Sequence, residues 1–298
     1  MELIQSGSSL PYTLQITCFV FFFIAFAIKV PVWPFHTWLP DAHVQAPTAV
    51  SVILAGVLLK MGTYGMLRIS WPMFPEAVRY FSFWIALLGV IAIIYGALVS
   101  LAQKDLKKLV AYSSVSHMGY CMLALGAVTS VKAITGCMFQ MISHGLITGA
   151  LFLLVGVLYD RAHTREIAAF GGLGSKLPVY TGIMVFFSMA SLGLPGMSGF
   201  ISEFMIFVGA FGALDKVLVS IGVLGILLGA AYMLRMVQNV FLGDFNLTKW
   251  GGLTEINFRE LLTVVPLMIL TLWIGIYPKP LNELMAATLE NIVTLMAR

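Results

Sequence analysis

Hydrophobic residues run in long blocks along this chain, and polar residues collect in the short stretches between them. A helix needs about 20 mostly apolar residues to cross a bilayer. A window of that length predicts eight crossings, near 12–42, 48–70, 82–103, 108–128, 133–158, 179–212, 217–242 and 261–277. Two of these are too long and carry breaks. The first holds Lys29-Val30-Pro31 followed by Pro34 and Pro40, and the sixth holds Gly193-Leu194-Pro195-Gly196 followed by Gly199. Proline removes a backbone donor and clustered glycine weakens the helical ladder, so both crossings are expected to be interrupted within the membrane. Irregular backbone at that depth is tolerated only where protein buries it or a wet cavity bathes it. Paired broken helices therefore point to a transport site, with a plain proline kink as the simpler alternative. The final stretch, 280–297, mixes Leu281, Leu284, Met285 and Leu289 with Glu283 and Glu290. It predicts an amphipathic helix lying on the membrane surface or against a partner. No polar linker is long enough to separate soluble domains, so the expectation is one all-α, polytopic bundle with two discontinuous helices.

Composition sharpens this into an integral membrane protein. Hydrophobic residues make up 60% and charged residues 10% of the chain, against about 45–50% and about 25% in soluble domains. The mean hydropathy is +0.96. A net charge of +4, scattered over loops, gives no footprint for nucleic acid. Cys18, Cys121 and Cys137 lack metal or disulfide spacing and read as small core residues. Residues 1–10 have no Lys or Arg ahead of an apolar core, so no secretory signal is expected. Gly171-Gly172-Leu173-Gly174-Ser175-Lys176 fails the phosphate-loop spacing and has no parallel-sheet context. Nothing supports redox or nucleotide chemistry, a bound metal or a cofactor in this chain. Lys104, Lys107, Lys108, Arg161, Arg165 and Lys176 crowd two loops that share one side. The positive-inside rule turns that side toward the cytoplasm or matrix and both termini toward the other.

The candidate chemistry lies in ionisable residues inside the apolar blocks. Lys60 is about 15 Å from either end of its span, beyond the reach of a snorkelling side chain. An isolated charge there costs roughly 2.5–3.5 kcal/mol, so Lys60 is expected to face the interior with water or a carboxylate. A lysine held there can take up and release a proton; a purely structural buried lysine is the alternative. Lys29 stands at the first break, where it could instead snorkel, and Glu203 follows the second. His117 and His144 sit mid-span and suit a proton relay, although histidine is also the cheapest of these groups to bury against a neighbouring helix. Arg235 and Arg68 lie nearer helix ends and are expected to snorkel. His36, Asp41 and His43 fall in the proline-rich stretch near a membrane face, where they either feed protons or merely stay wet. His163, in a charged loop, is assigned no role.

At these residues the chain resembles the antiporter-like subunits of respiratory complex I, of the subunit 4 or subunit M type. The resemblance rests on Ala27-Ile28-Lys29-Val30-Pro31, Trp38-Leu39-Pro40-Asp41-Ala42-His43, Ala46-Pro47-Thr48-Ala49 and Leu54-Ala55-Gly56-Val57-Leu58-Leu59-Lys60. It continues through Ala111-Tyr112-Ser113-Ser114-Val115-Ser116-His117-Met118-Gly119, Ser143-His144-Gly145, Leu158-Tyr159-Asp160-Arg161 and Leu194-Pro195-Gly196. These runs cover the chain from about 12 to 280, and Asp41-Ala42-His43 with Glu203 favours this subunit over its sisters.

The resemblance implies a transmembrane proton-conducting domain over 1–279, with a partial first repeat at 12–70, a second at 82–242 and a last crossing at 261–277. The amphipathic helix at 280–298 follows. It implies that Lys29 is the proton-accepting lysine of a first half-channel and Lys60 the connecting lysine. His117 and His144 would be relay groups, and Glu203 the terminal carboxylate of a second half-channel. Quinone reduction elsewhere in an NADH–quinone oxidoreductase would drive the protons, with flavin, iron–sulfur clusters and quinone held by partner subunits. Expected partners are other complex I membrane subunits, including neighbouring antiporter-like subunits, and membrane lipid. The family's chains are longer, and this one resembles the part from the seventh helix onward, with residues 1–11 as the preceding loop. A separate chain would supply the missing first repeat, which holds the glutamate that pairs with the lysine at 29, unless this is a truncated or split product. The implied location is the bacterial cytoplasmic or mitochondrial inner membrane. A subunit of a multisubunit cation/proton antiporter, a membrane-bound hydrogenase relative and a non-conducting structural subunit are the alternatives.

Overall fold

A computed structural model of the protein describes residues 10–297. The readings for residues 1–9 and Arg298 fall outside the described residues. The chain folds as a helical bundle, with an isolated bridge between Asp105 and Glu166 as the only β pairing among the described residues.

The first crossing is broken as expected. Helix α1 (Tyr12–Lys29) stops where Pro31 and Pro34 follow, and α2 (Trp38–Gln45) resumes after a turn. Ala46 is extended at ψ 147°, as a residue before proline should be, and α2 ends there. Helix α3 (Thr48–Met73) is 26 residues long. It contains two π-helical turns, Leu54–Leu58 and Met66–Ser70, which the apolar pattern did not predict. Helix α4 (Pro75–Ala102) opens on a proline, a favoured first position. Asp105 then caps α5 (Leu106–Gly126) by accepting from the Lys107 and Lys108 amides, and Ser130 caps α6 (Val131–Ala162). The sixth crossing is the second broken one. Helix α7 (Pro178–Ser191) and α8 (Ser198–Ala213) are separated by a turn in which Gly193 and Gly196 adopt φ of 80° and 91°. Helix α9 (Lys216–Phe241) starts on an Asp215 cap, and α10 (Phe258–Ile276) on a capping box of Asn257 and Glu260.

Six helices among the described residues, α1, α3, α4, α6, α9 and α10, are long and apolar enough to span a membrane. The α7–α8 pair and α5 complete the eight expected crossings. Helix α5 is less apolar than the rest because lipid does not face it: every residue from Ser113 to Gly126 is buried. Its serines are satisfied internally, Ser113 and Ser114 donating to the Val110 carbonyl and Ser116 to Ile93 on α4. α5 and α6 form the centre of the bundle, and α1 and α10 its periphery.

The three connections that follow α4, α6 and α9 meet on one face. Leu106 N donates to Arg165 O, Ile167 N to Lys104 O, and Trp250 Nε1 to Ala169 O. Arg161, at the end of α6, clamps the start of α10 by a bidentate pair with Glu260 at 2.9 and 2.7 Å. At the opposite end, α11 (Lys279–Ala297) turns back on its own chain and does not extend away from it. Leu289, Ile292, Val293 and Met296 pack into the core formed with α3, α4 and α6, while Leu284 stays exposed.

Candidate functional site

Lys60, His144, His117 and Glu203 form one buried row across α3, α6, α5 and α8, all of them at most 9% exposed. The row exists because helices approach closely where side chains are missing. A Cβ on Gly145 of α6 would lie 2.8 Å from the Gly56 carbonyl of α3 and 3.9 Å from Lys60 Cε. This crossing sets Lys60 Nζ 2.6 Å from His144 Nδ1. The ammonium also donates to the Ala55 carbonyl in the first π turn of α3. Lys60 thus faces the interior as expected, but its partners are an imidazole and a carbonyl in place of the expected water or carboxylate.

The His144 and His117 rings are 5.6 Å apart between centroids. Between them lies a cavity large enough for about one water molecule, lined also by Ser143, Thr148, Ser191 and Glu203. His117 Nδ1 is 3.3 Å from Glu203 Oε1 and 3.4 Å from Gln140 Nε2. Ser202 donates to Gln140 Oε1, which turns the Gln140 amide nitrogen toward the histidine. The two contacts ask opposite things of Nδ1: toward the carboxylate it donates, and from the amide it accepts. A protonated His117 therefore suits Glu203 and a neutral one suits Gln140, so both protonation states find a partner without moving the backbone. His117 Nε2 is 3.1 Å from Ser191 Oγ and 3.4 Å from the Tyr232 hydroxyl. Glu203 is held under the second break, where a Cβ on Gly193 would come 3.2 Å from its Oε2.

Lys29 is not part of this row. It ends α1, half-buried, with no hydrogen bond or ion pair among the described residues. Its neighbour Val30 packs on Gly62, two residues beyond Lys60, at a close crossing of α1 and α3. His36 and His43 are buried rather than wet, because the break folds inward against α5 and α6. His36 meets the edge of Tyr95, and His43 stacks on Phe152 at 4.4 Å between ring centroids. The ring nitrogens of His43 have no hydrogen-bond partner among the described residues. Arg235 is exposed near its helix end, as expected. The sequence pattern does not predict the places of Gln140, Ser191, Ser202 and Tyr232 in this site. Gln140 carries the one usable signal, since it precedes His144 by a single helical turn on the same face. No group of three or more His, Cys, Asp or Glu side chains that could hold a metal is found among the described residues.

A bundle with two broken helices and a buried row of lysine, histidines and glutamate defines an antiporter-like membrane subunit. Residues 3–229 match the family described as NADH:quinone oxidoreductase/Mrp antiporter, TM, and the chain belongs to that family. It is similar to the NADH-quinone oxidoreductase subunit M of Rhodobacter capsulatus, 47% identical over 279 residues, covering 94% of this chain and 54% of the relative. The NADH-ubiquinone oxidoreductase chain 4 of Marchantia polymorpha is likewise 47% identical, with 94% and 56% covered. The chain spans about half the length of the curated relatives it matches. A chain in the structure of respiratory complex I from Thermus thermophilus with bound NADH superposes with a TM-score of 0.90 at 31% identity, over 96% of this chain and 60% of that one.

Proposed function

We propose that this chain is a proton-translocating membrane subunit of an NADH–quinone oxidoreductase of the complex I type. The observation that carries the reading is the unbroken sequence of protonatable groups from Lys60 through His144 and His117 to Glu203. Two cations 2.6 Å apart in a low-dielectric interior repel strongly, so Lys60 and His144 share one proton, which sits on either. Passage from His144 to His117 uses the one-water cavity. His117 then releases the proton toward Glu203 and returns to its Gln140-bound form. Lys29 supplies protons to Lys60 from the first break. Quinone reduction in other subunits biases the charge along this row, and those subunits carry the flavin, the iron–sulfur clusters and the quinone. The loops bearing Lys104, Lys107, Lys108 and Arg165 face the cytoplasm or matrix, and both termini face the opposite side.

The test is proton pumping by the assembled complex in sealed vesicles, measured beside NADH:quinone reduction. Lys60→Ala and Glu203→Gln are each expected to lower pumping by at least about a hundredfold, the effect of losing a positioned proton-transfer group. Wild-type pumping in both variants would refute conduction through this chain. Sodium-dependent flux that survives removal of every redox subunit would instead favour the antiporter branch of the family.

A further inference from the structure

A second cavity, of about 400 Å³, opens on the loop face between α4, α9 and the segment after α6. Gln103, Lys104, Ala168, Arg235 and Asn239 line its mouth, and Tyr232 lies among the residues that line it deeper down. The mouth is exposed and polar, with two cationic side chains, so water can enter it. Tyr232 is itself 1% exposed. It lies nine residues before the C-terminal end of α9, about 14 Å below the loop face. Its hydroxyl is 3.4 Å from His117 Nε2 and also bonds the Ser113 side chain. The same residue therefore belongs to the wall of a cavity open to the loop face and touches the central histidine of the row. No other residue that lines this cavity makes a side-chain hydrogen bond to the row among the described residues.

We propose that Tyr232 is a proton-passing gate that joins this vestibule to His117. The buried row would then have a second access from the charged loop face, separate from the break between α1 and α2. This rests on the reading of the row as a proton path. In the neutral tautomer whose Nδ1–H faces Glu203, Nε2 is bare. The phenol O–H breaks as an Nε2–H bond forms, and a water at the vestibule floor passes a proton to the phenol oxygen while taking one from the water behind it. One proton thus enters from the loop face, and every bond broken is matched by one formed. Because Tyr232 is buried and both lines the cavity and touches His117, the passage conducts only when its hydroxyl meets both partners, which keeps the two faces from being joined by open water. Arg235 and Lys104 at the mouth repel other cations and leave protons, which move by exchange along water, as the species admitted.

Two perturbations test this in the purified complex that contains the chain, reconstituted in sealed vesicles with the loop face outward. Tyr232→Phe keeps the ring and removes only the hydroxyl. Pumping is expected to fall about tenfold, less than the loss of a sole proton donor because the Lys29 entry remains. Ala168→Cys is placed in the vestibule wall away from His117, and its reaction with a bulky, membrane-impermeant maleimide should lower pumping about as much relative to the same unlabelled variant. Wild-type complex treated with the maleimide controls for Cys18. Should Tyr232→Phe fail to assemble, the labelled Ala168→Cys complex decides alone. Unchanged pumping in that labelled complex overturns the vestibule route, whatever Tyr232→Phe does. Lys60→Ala, measured in parallel, separates this failure from failure of the conduction reading itself, since it abolishes pumping only if the row conducts.

Discussion

The crossing of α3 and α6 offers a test in which one methyl group is placed on either side of the same contact. In Gly145→Ala the new Cβ would lie 2.8 Å from the Gly56 carbonyl oxygen, against 3.6 Å from the Gly145 carbonyl in Gly56→Ala. A comfortable carbon–oxygen contact is about 3.3 Å, so Gly145→Ala forces the helices apart by about 0.5 Å, while Gly56→Ala forces nothing. Overpacking of this kind costs about 1–3 kcal/mol. The retreat also stretches the Lys60–His144 contact from 2.6 Å to the outer edge of hydrogen bonding, near 3.1 Å. At about 1.4 kcal/mol per factor of ten, Gly145→Ala should pump about tenfold more slowly. Gly56→Ala should pump normally and gain up to about 1 kcal/mol of helical stability. Dye-reported proton uptake by vesicles, normalised to assembled complex, checks both. Equal pumping by the two variants would show that the glycine crossing does not set the Lys60–His144 distance, and the account of how this row is built would fall.

The second break and the loop face give two further expectations. Gly193→Ala places a Cβ on a backbone at φ 80° and 3.2 Å from Glu203 Oε2; it should cost about 1–3 kcal/mol and impair pumping more than stability, as read from pumping against thermal unfolding in detergent. Arg161→Ala removes the bidentate pair to Glu260 and the donations to the Thr254 and Glu255 carbonyls. With both side chains largely buried, it should destabilise α10 by about 3 kcal/mol, seen as a lower unfolding temperature that Arg161→Lys restores only in part.

The architecture was readable because the membrane imposes a coarse rule. Twenty apolar residues must be helical, and proline or paired glycine must interrupt them, so both breaks and all eight crossings follow from spacing alone. Lys60, His117, His144 and Glu203 were readable for a similar reason, since an ionisable group within an apolar run has no cheap place except the interior. Their partners were not. Whether Lys60 meets water, a carboxylate or His144 depends on the rotation of α3 against α6, and apolar periodicity carries little rotational information when both lipid and core are apolar. Gln140, Ser191, Ser202 and Tyr232 were hidden for another reason. Such residues often do no more than bond a carbonyl within their own helix, as Ser188 does with Met184. The inward fold of His36 and His43 was equally beyond reach, because a proline-rich stretch says where a helix stops and not where the chain then goes.

The π turn at Leu54–Leu58 shows most clearly how a feature without a sequence signal can decide function. An extra residue in one helical turn rotates everything after it by about 100° relative to a regular helix. Val57 and Met61, on either side of Lys60, are exposed on the outer surface of α3, at 59% and 56%, while Lys60 is buried. Without the wider turn, the register that follows it would swing Lys60 away from His144 and leave the Ala55 carbonyl committed to the regular ladder, where it now receives Lys60 Nζ. The wide turn thus supplies both the direction of the side chain and a partner for its charge. Single-turn π insertions gather at functional sites. Here the reason is mechanical: a lysine can be aimed at a histidine on the next helix while its neighbours remain outward-facing and apolar.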